Sequence, residues 1–228
     1  MLIGILLPAV TRGRDAAEVS ACLSRQRQLL IGVGVYAADY DDDIPRGPRT
    51  QASFVAAAFG RADAATEDEV ASSVVVSAAD AGAYFNAHGV LLNGYLNDRR
   101  IMFCPGDDTA DPGEELQKIR DLAPPVFSSY VYRNLDQVTA GKLSDLGFND
   151  ENIEARALFV DSNSVFESEG DTYRTNHGND PANIAFRDGH AKSVTNVDNA
   201  FSLTAPDYFG WTAIEAAYNR IFISGDAR

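Results

Sequence analysis

The chain has 228 residues, with 33 acidic against 19 basic side chains, a formal net charge of −14, and 45 % apolar residues. That length suits one folded domain with an appendage, and the apolar content excludes a chain disordered throughout. An acidic body of this strength repels phosphate backbones, so no nucleic-acid partner is expected.

The first ten residues, Met-Leu-Ile-Gly-Ile-Leu-Leu-Pro-Ala-Val, are strongly apolar. They are half the length of a membrane-spanning helix and lack the basic start and small-residue cleavage site of a secretory signal. From Asp15 to Tyr40 there is no proline, and Cys22, Leu29, Val33, Tyr36 and Tyr40 recur at steps of 7, 4, 3 and 4. This is one face of an α-helix. The turn-rich run Asp41-Asp-Asp-Ile-Pro-Arg-Gly-Pro48 should end it, and Pro8 should kink it rather than stop it. Residues 1–30 hold Arg12, Arg14, Arg25 and Arg27 against Asp15 and Glu18, a balance of +2, so residues 31–228 carry −16. The division is therefore a helix over residues 1–41 and an acidic head over 42–228.

Within the head, residues 51–59 suit a short helix, Val74-Val75-Val76 a strand, and His88–Leu96 a helical turn. Asp111-Pro112-Gly113-Glu114 caps a helix running to Arg120, with proline at its start and acid in its first turn. Residues 127–132 and 155–161 read as strands. Residues 183–187 and 191–195 flank Asp188-Gly189, a hairpin signal. Thr212–Phe222 reads as a closing helix. Strands clustered after a long first helix argue for an α+β fold with an antiparallel sheet.

Asp161, His177, Asp188 and His190 are the candidate ligands for a divalent metal, since carboxylate and neutral imidazole suit that role. Asp188-Gly189 serves equally as a plain turn, with His190 as a cross-strand partner. His177 serves equally as a loop anchor. Asp39-Tyr-Asp41-Asp-Asp43 opens like a calcium loop, but its sixth position is Ile44 and its twelfth is Thr50 where Gly and Glu are required. The run instead reads as a solvated helix exit. Tyr208, Phe209, Trp211 and Tyr218 read as core more readily than as a sugar platform. Nucleophile-elbow, phosphate-loop and dinucleotide signatures are absent from the sequence, and Gly32-Val-Gly34 sits inside the helix.

Several motifs carry a family resemblance. Leu-Ile-Gly-Ile-Leu-Leu-Pro-Ala with its following arginines, then Cys22-Leu-x-x-x-Arg27-Gln and Tyr36-Ala-x-Asp-Tyr-Asp41, resemble the bacterial prepilin-like proteins related to type II secretion pseudopilins. Phe103-Cys104-Pro105-Gly106-Asp107 resembles that family's Cys-Pro-Ser-Asp element, Ser128-Ser129-Tyr130-Val131-Tyr132 its Ser-Tyr strand, and Asn183–His190 its C-terminal Asp-Gly-His hairpin. One family subset places a histidine nine residues before Asp-Gly; here ten residues separate His177 from Asp188.

The resemblance implies a long pilin-like helix packed on an antiparallel β-sheet head with short helices, and a structural rather than catalytic role with no cofactor. It implies other pilin-like subunits as partners through the N-terminal helix. That helix would lie in the inner membrane before assembly, with the head periplasmic or extracellular. The family's cleavage and methylation motif and the first half of its membrane helix are missing from residues 1–10, so on this reading those residues are the end of a longer helix. Outside the cytoplasm a Cys22–Cys104 disulfide is permitted; closing a loop of about 80 residues, it would stabilise by roughly 4 kcal/mol in the chain-entropy model. Two small buried hydrophobes are the alternative. The runner-up function is an exported metal-dependent binding or hydrolytic domain using Asp161, His177, Asp188 and His190.

Overall fold

A computed structural model describes residues 3–46, 73–78, 82–85, 87–108, 111–123, 126–133, 141–165, 175–208 and 211–228. The element order begins with helix α1 (Ile3–Asp39), strands β1 (Ser73–Ala78) and β2 (Gly82–Phe85), and helix α2 (Pro112–Asp121). Strands β3 (Val126–Phe127), β4 (Tyr130–Tyr132), β5 (Ala157–Asp161), β6 (Ala182–Phe186) and β7 (Ala191–Val194) follow, and helix α3 (Trp211–Asp226) closes the chain. Short 3-10 turns at Ala87–Leu92, Arg99–Met102 and His177–Asn179 connect them.

Helix α1 runs through Pro8. From residue 22 onward it buries Cys22, Gln26, Leu29, Leu30, Val33 and Ala37, a stripe with helical spacing. Tyr36 packs against the core at its edge. Tyr40, expected on the same face, is half exposed and stacks on Tyr36 with ring centroids 4.3 Å apart. Gly32 has a packing reason to lie in mid-helix: a Cβ there would stand 2.9 Å from Leu96 Cγ. The helix ends where the Asp42 amide bonds back to the Ala37 carbonyl at 2.7 Å, with Asp41 and Asp42 at positive φ. The acidic run stays solvated, as expected for a helix exit, while exposed polar contacts tie it to the head. Lys142 contacts Asp41 and Asp43, and the Ser144 amide and hydroxyl both donate to Asp42 Oδ2.

The main sheet has the order β4-β5-β6-β7, antiparallel throughout, with Tyr130 opposite Asp161, Val160 opposite Ile184 and Asn183 opposite Ser193. A smaller antiparallel sheet has the order β2-β1-β3. Strands β4, β5 and β6 are buried at every position, because the main sheet is covered on both faces. Tyr130, Tyr132, Phe159 and Ala185 pack with the α1 side chains. Val131, Val160, Ile184 and Phe186 pack with Ile214, Tyr218, Ile221 and Phe222 of α3. A sheet covered on both faces must read as nearly continuous apolar runs, and Ala-Leu-Phe-Val at 157–160 is such a run. Gly189, at φ 93°, makes the turn of the β6–β7 hairpin.

Most sequence expectations for elements agree with these bounds. The cap of α2 is as read: Asp111 Oδ1 accepts from the Gly113 and Glu114 amides. The expected turn at His88–Leu96 is a shorter 3-10 turn, Ala87–Leu92. The expected helix at residues 51–59 lies outside the described residues. Of the four aromatic residues weighed as a sugar platform, Tyr218 has a described side chain, and it is core.

Candidate functional site

One polar cluster is buried between α1 and the main sheet. Cys22 comes from α1 at the start of its buried stripe. Asp161 is the last residue of β5, two positions after Phe159, so the alternation of a strand turns it to the α1 face. Cys104 and His177 come from two loops that pair with each other: His177 N–H donates to the Gly106 carbonyl at 2.8 Å, Asp108 N–H to the Thr175 carbonyl at 3.1 Å, and Asp107 bridges Asn176. Asn176 pins this pairing to the sheet, its Nδ2 donating to the Ser129 carbonyl and its amide to Asn163 Oδ1, both at 2.7 Å.

Gly106 makes the approach of the two loops possible. A Cβ at that position would stand 2.4 Å from His177 Nδ1, so the imidazole lies flush against the Cys104-Pro105-Gly106 turn. The other ring nitrogen, Nε2, points into the cluster, 3.2 Å from Cys104 Sγ and 3.9 Å from Asp161 Oδ2. Cys22 Sγ is 3.4 Å from Asp161 Oδ1 and 3.5 Å from the Tyr130 hydroxyl. Cys22 Sγ, Cys104 Sγ and a His177 ring nitrogen all lie within 4.8 Å of one another. Asp161 is oriented by two donors, Gln26 Nε2 at 3.0 Å and the Asn183 amide at 2.9 Å. The Gly106 amide donates to Cys104 Sγ at 3.3 Å.

Burial governs the electrostatics. It pushes the Cys22 thiol, the Tyr130 hydroxyl and the Asp161 carboxyl well above their ordinary values, and for Asp161 the neighbouring Cys22 adds to the effect. Burial alone would depress the His177 imidazole, but the Cys22 thiol and the Asp161 carboxylate more than reverse this and its pKa is raised.

The sequence-derived ligand set is therefore split. Asp161 and His177 come together as expected. Asp188 and His190 do not join them: both are at the exposed tip of the β6–β7 hairpin, paired with each other, and the His190 ring stacks on Phe186 at 4.3 Å. At about 3.3 Å per residue, Asp188 is roughly 16 Å along the chain from Asn183, which touches Asp161. The positions filled by Asp188 and His190 in the sequence reading are taken by Cys22 and Cys104. These two meet as that reading required, but as free cysteines rather than a disulfide. Gln26 and Tyr130 were missed because one is a polar residue on an apolar helical stripe and the other an aromatic in a strand. Pooling the chain's two cysteines with its three histidines was the available signal.

The arrangement is not that of a nucleophilic triad. In such a triad the carboxylate holds the ring nitrogen opposite the nucleophile. Here Asp161 and Cys104 both address Nε2, and Nδ1 faces Gly106. Cys104 is also buried. Two sulfurs and one imidazole nitrogen within 4.8 Å of one another, with the Asp161 carboxylate against Cys22 and His177, are instead a donor set for a soft or borderline metal ion. Comparison with protein-family models, curated proteins and solved structures found no match.

Proposed function

We propose that the protein is a pilin-like structural subunit of a cell-envelope filament or a type II secretion-related assembly, with no catalytic residue. The carrying observation is the projection of α1. Residues 8–17 are exposed at every position, while the same helix is packed on the head from residue 22 onward. An isolated helical extension is marginal in water, and helices gain most of their stability from packing. Val10, 62 % exposed, and the apolar run before it therefore call for neighbours.

Among the described residues no helix is long and apolar enough to cross a membrane. Residues 3–10 of α1 extend about 12 Å at 1.5 Å per residue, less than half of a roughly 30 Å bilayer core. On this reading they pack against the equivalent helices of neighbouring subunits, and the −16 head faces outward to partners or cargo. The slight positive charge of Arg12 and Arg14 borders the apolar run, as suits a segment that leaves a membrane surface.

The test is fractionation of the producing bacterium with an epitope after Arg228, which is exposed. The reading expects the protein in the membrane fraction and in filaments sheared from the cell surface. Recovery only as a freely soluble cytoplasmic monomer would refute it.

A further inference from the structure

We infer that Cys22 Sγ, Cys104 Sγ and His177 Nε2, closed by the Asp161 carboxylate, form a binding site for a zinc-class divalent ion that clamps α1 to the head.

The donors come from three separate regions. Cys22 belongs to the projecting helix, Cys104 and His177 to two paired loops, and Asp161 to the central strand β5. Ordinary tetrahedral zinc bonds to sulfur and nitrogen place ligand atoms roughly 3.5–3.8 Å apart. The observed 3.2 Å from Cys104 to His177, and the 4.8 Å limit that contains all three atoms, need adjustments of about an ångström or less. Among the described residues this is the one group of three or more such side chains converging on a point.

The surroundings match what metal ligands require. The Gly106 amide donates to Cys104 Sγ at 3.3 Å, the outer hydrogen bond that a metal-bound sulfur accepts. Gln26 and the Asn183 amide fix the Asp161 carboxylate, as outer hydrogen bonds fix ligands at metal centres. Thiolate and imidazole select zinc over calcium or magnesium, which take oxygen ligands. On binding, the two thiols would each release a proton to solvent and both sulfurs would bond to the ion, with no change of oxidation state. A disulfide would remove both sulfurs as ligands and leave His177 and Asp161 buried 3.9 Å apart without a shared partner. The ion uses all four groups.

The experiment is zinc analysis of the full chain purified under reducing conditions. The expected result is stoichiometric zinc in the native protein and in His190→Gln, and near-complete loss in Cys104→Ser and His177→Gln. Asp161→Asn should weaken binding by roughly 10–100-fold, the usual effect of disturbing a ligand or its support. Because these variants risk misfolding, native protein stripped by a chelator is also titrated with cobalt(II). Sulfur-to-cobalt charge-transfer absorption with intense tetrahedral bands, reversed by zinc, supports the site. Chelation should lower Tm, with zinc but not magnesium restoring it. Three results overturn the inference: native protein that takes up no zinc, a cobalt spectrum without sulfur charge transfer, or a Cys22–Cys104 disulfide in freshly isolated material.

Discussion

Arg133 and Asp226 form a two-pronged ion pair sealed in the interior, Nη1 to Oδ1 at 3.2 Å and Nη2 to Oδ2 at 2.7 Å. Asp226, at the end of α3, also accepts the Arg156 and Ala157 amides and Asn149 Nδ2. One carboxylate thus joins the end of β4, the entry to β5 and the closing helix. The Arg133 guanidinium also lies over the Phe222 ring at 4.8 Å.

Removing that carboxylate takes the counter-charge from a buried guanidinium and the acceptor from the buried Ala157 amide and the partly buried Arg156 amide. Asp226→Ala should cost about 3–5 kcal/mol, the usual penalty for breaking a buried pair from one side. Urea denaturation measures it. A loss under about 1 kcal/mol, the scale of an exposed ion pair, would contradict the structural role given to Asp226.

His88 predicts an acid dependence. Its ring is fully buried beside Tyr132 and Phe159, and burial lowers its pKa from 6.5 to about 3. Ser128 Oγ donates to the Tyr130 carbonyl, so His88 Nε2–H donates to Ser128 at 2.8 Å, leaving Nδ1 buried without a partner. The folded state holds the neutral ring, whereas the unfolded chain takes a proton below pH 6.5. Stability from this group is therefore complete above pH 6.5 and lost as pH falls toward 3, by about 1.4 kcal/mol per unit. His88→Phe keeps an aromatic ring there, and Ser128 keeps its Tyr130 bond. Its stability should fall less steeply between pH 6.5 and 4; parallel curves for the two proteins would rule out His88 as the cause.

Gly106→Ala should destabilise by about 1–3 kcal/mol, the cost of overpacking, because the new methyl group would meet His177 Nδ1 at 2.4 Å. The denaturation midpoint reports it. An unchanged midpoint would mean that the Cys104 and His177 loops pack more loosely than their hydrogen bonds indicate.

Substitutions at the hairpin tip should be mild. Asp188→Asn and His190→Gln alter an exposed pair and should stay within about 0.5 kcal/mol of the parent. A multi-kcal loss in either would restore the tip to the structural and functional importance that its sequence suggested.

The readable parts of the chain were those where local chemistry dictates structure. Asp111-Pro112 fixed a helix start, Asp188-Gly189 a hairpin, and the spacing of Cys22, Leu29 and Val33 a helix face. Asp161 was legible as a strand end and His177 as a loop residue, and both reach the cluster. The errors arose where tertiary pairing decides. The three histidines meet three different fates: His88 in an aromatic core, His177 against Gly106, and His190 in a turn. Nothing local separates them, since the partners of His88 and His177 lie 40 and 73 residues away. Asp161 at a strand end and Asp188 with His190 at a hairpin suggest neighbours, but the extended course of β6 carries the tip away from the cluster. Gln26 was hidden by its polarity, which the buried Asp161 carboxylate and the Asn183 carbonyl that accept from it explain.

The account rests most heavily on the projecting half of α1 meeting other subunits. Its most direct test is a photo-crosslinking residue at Val10, compared in living cells with one at Phe148, 63 % exposed on the head. The account predicts covalent multimers of this chain, or adducts with pilin-like partners, through position 10 and few through position 148. A chain that stays monomeric and uncrosslinked at position 10 while folded and abundant would contradict it.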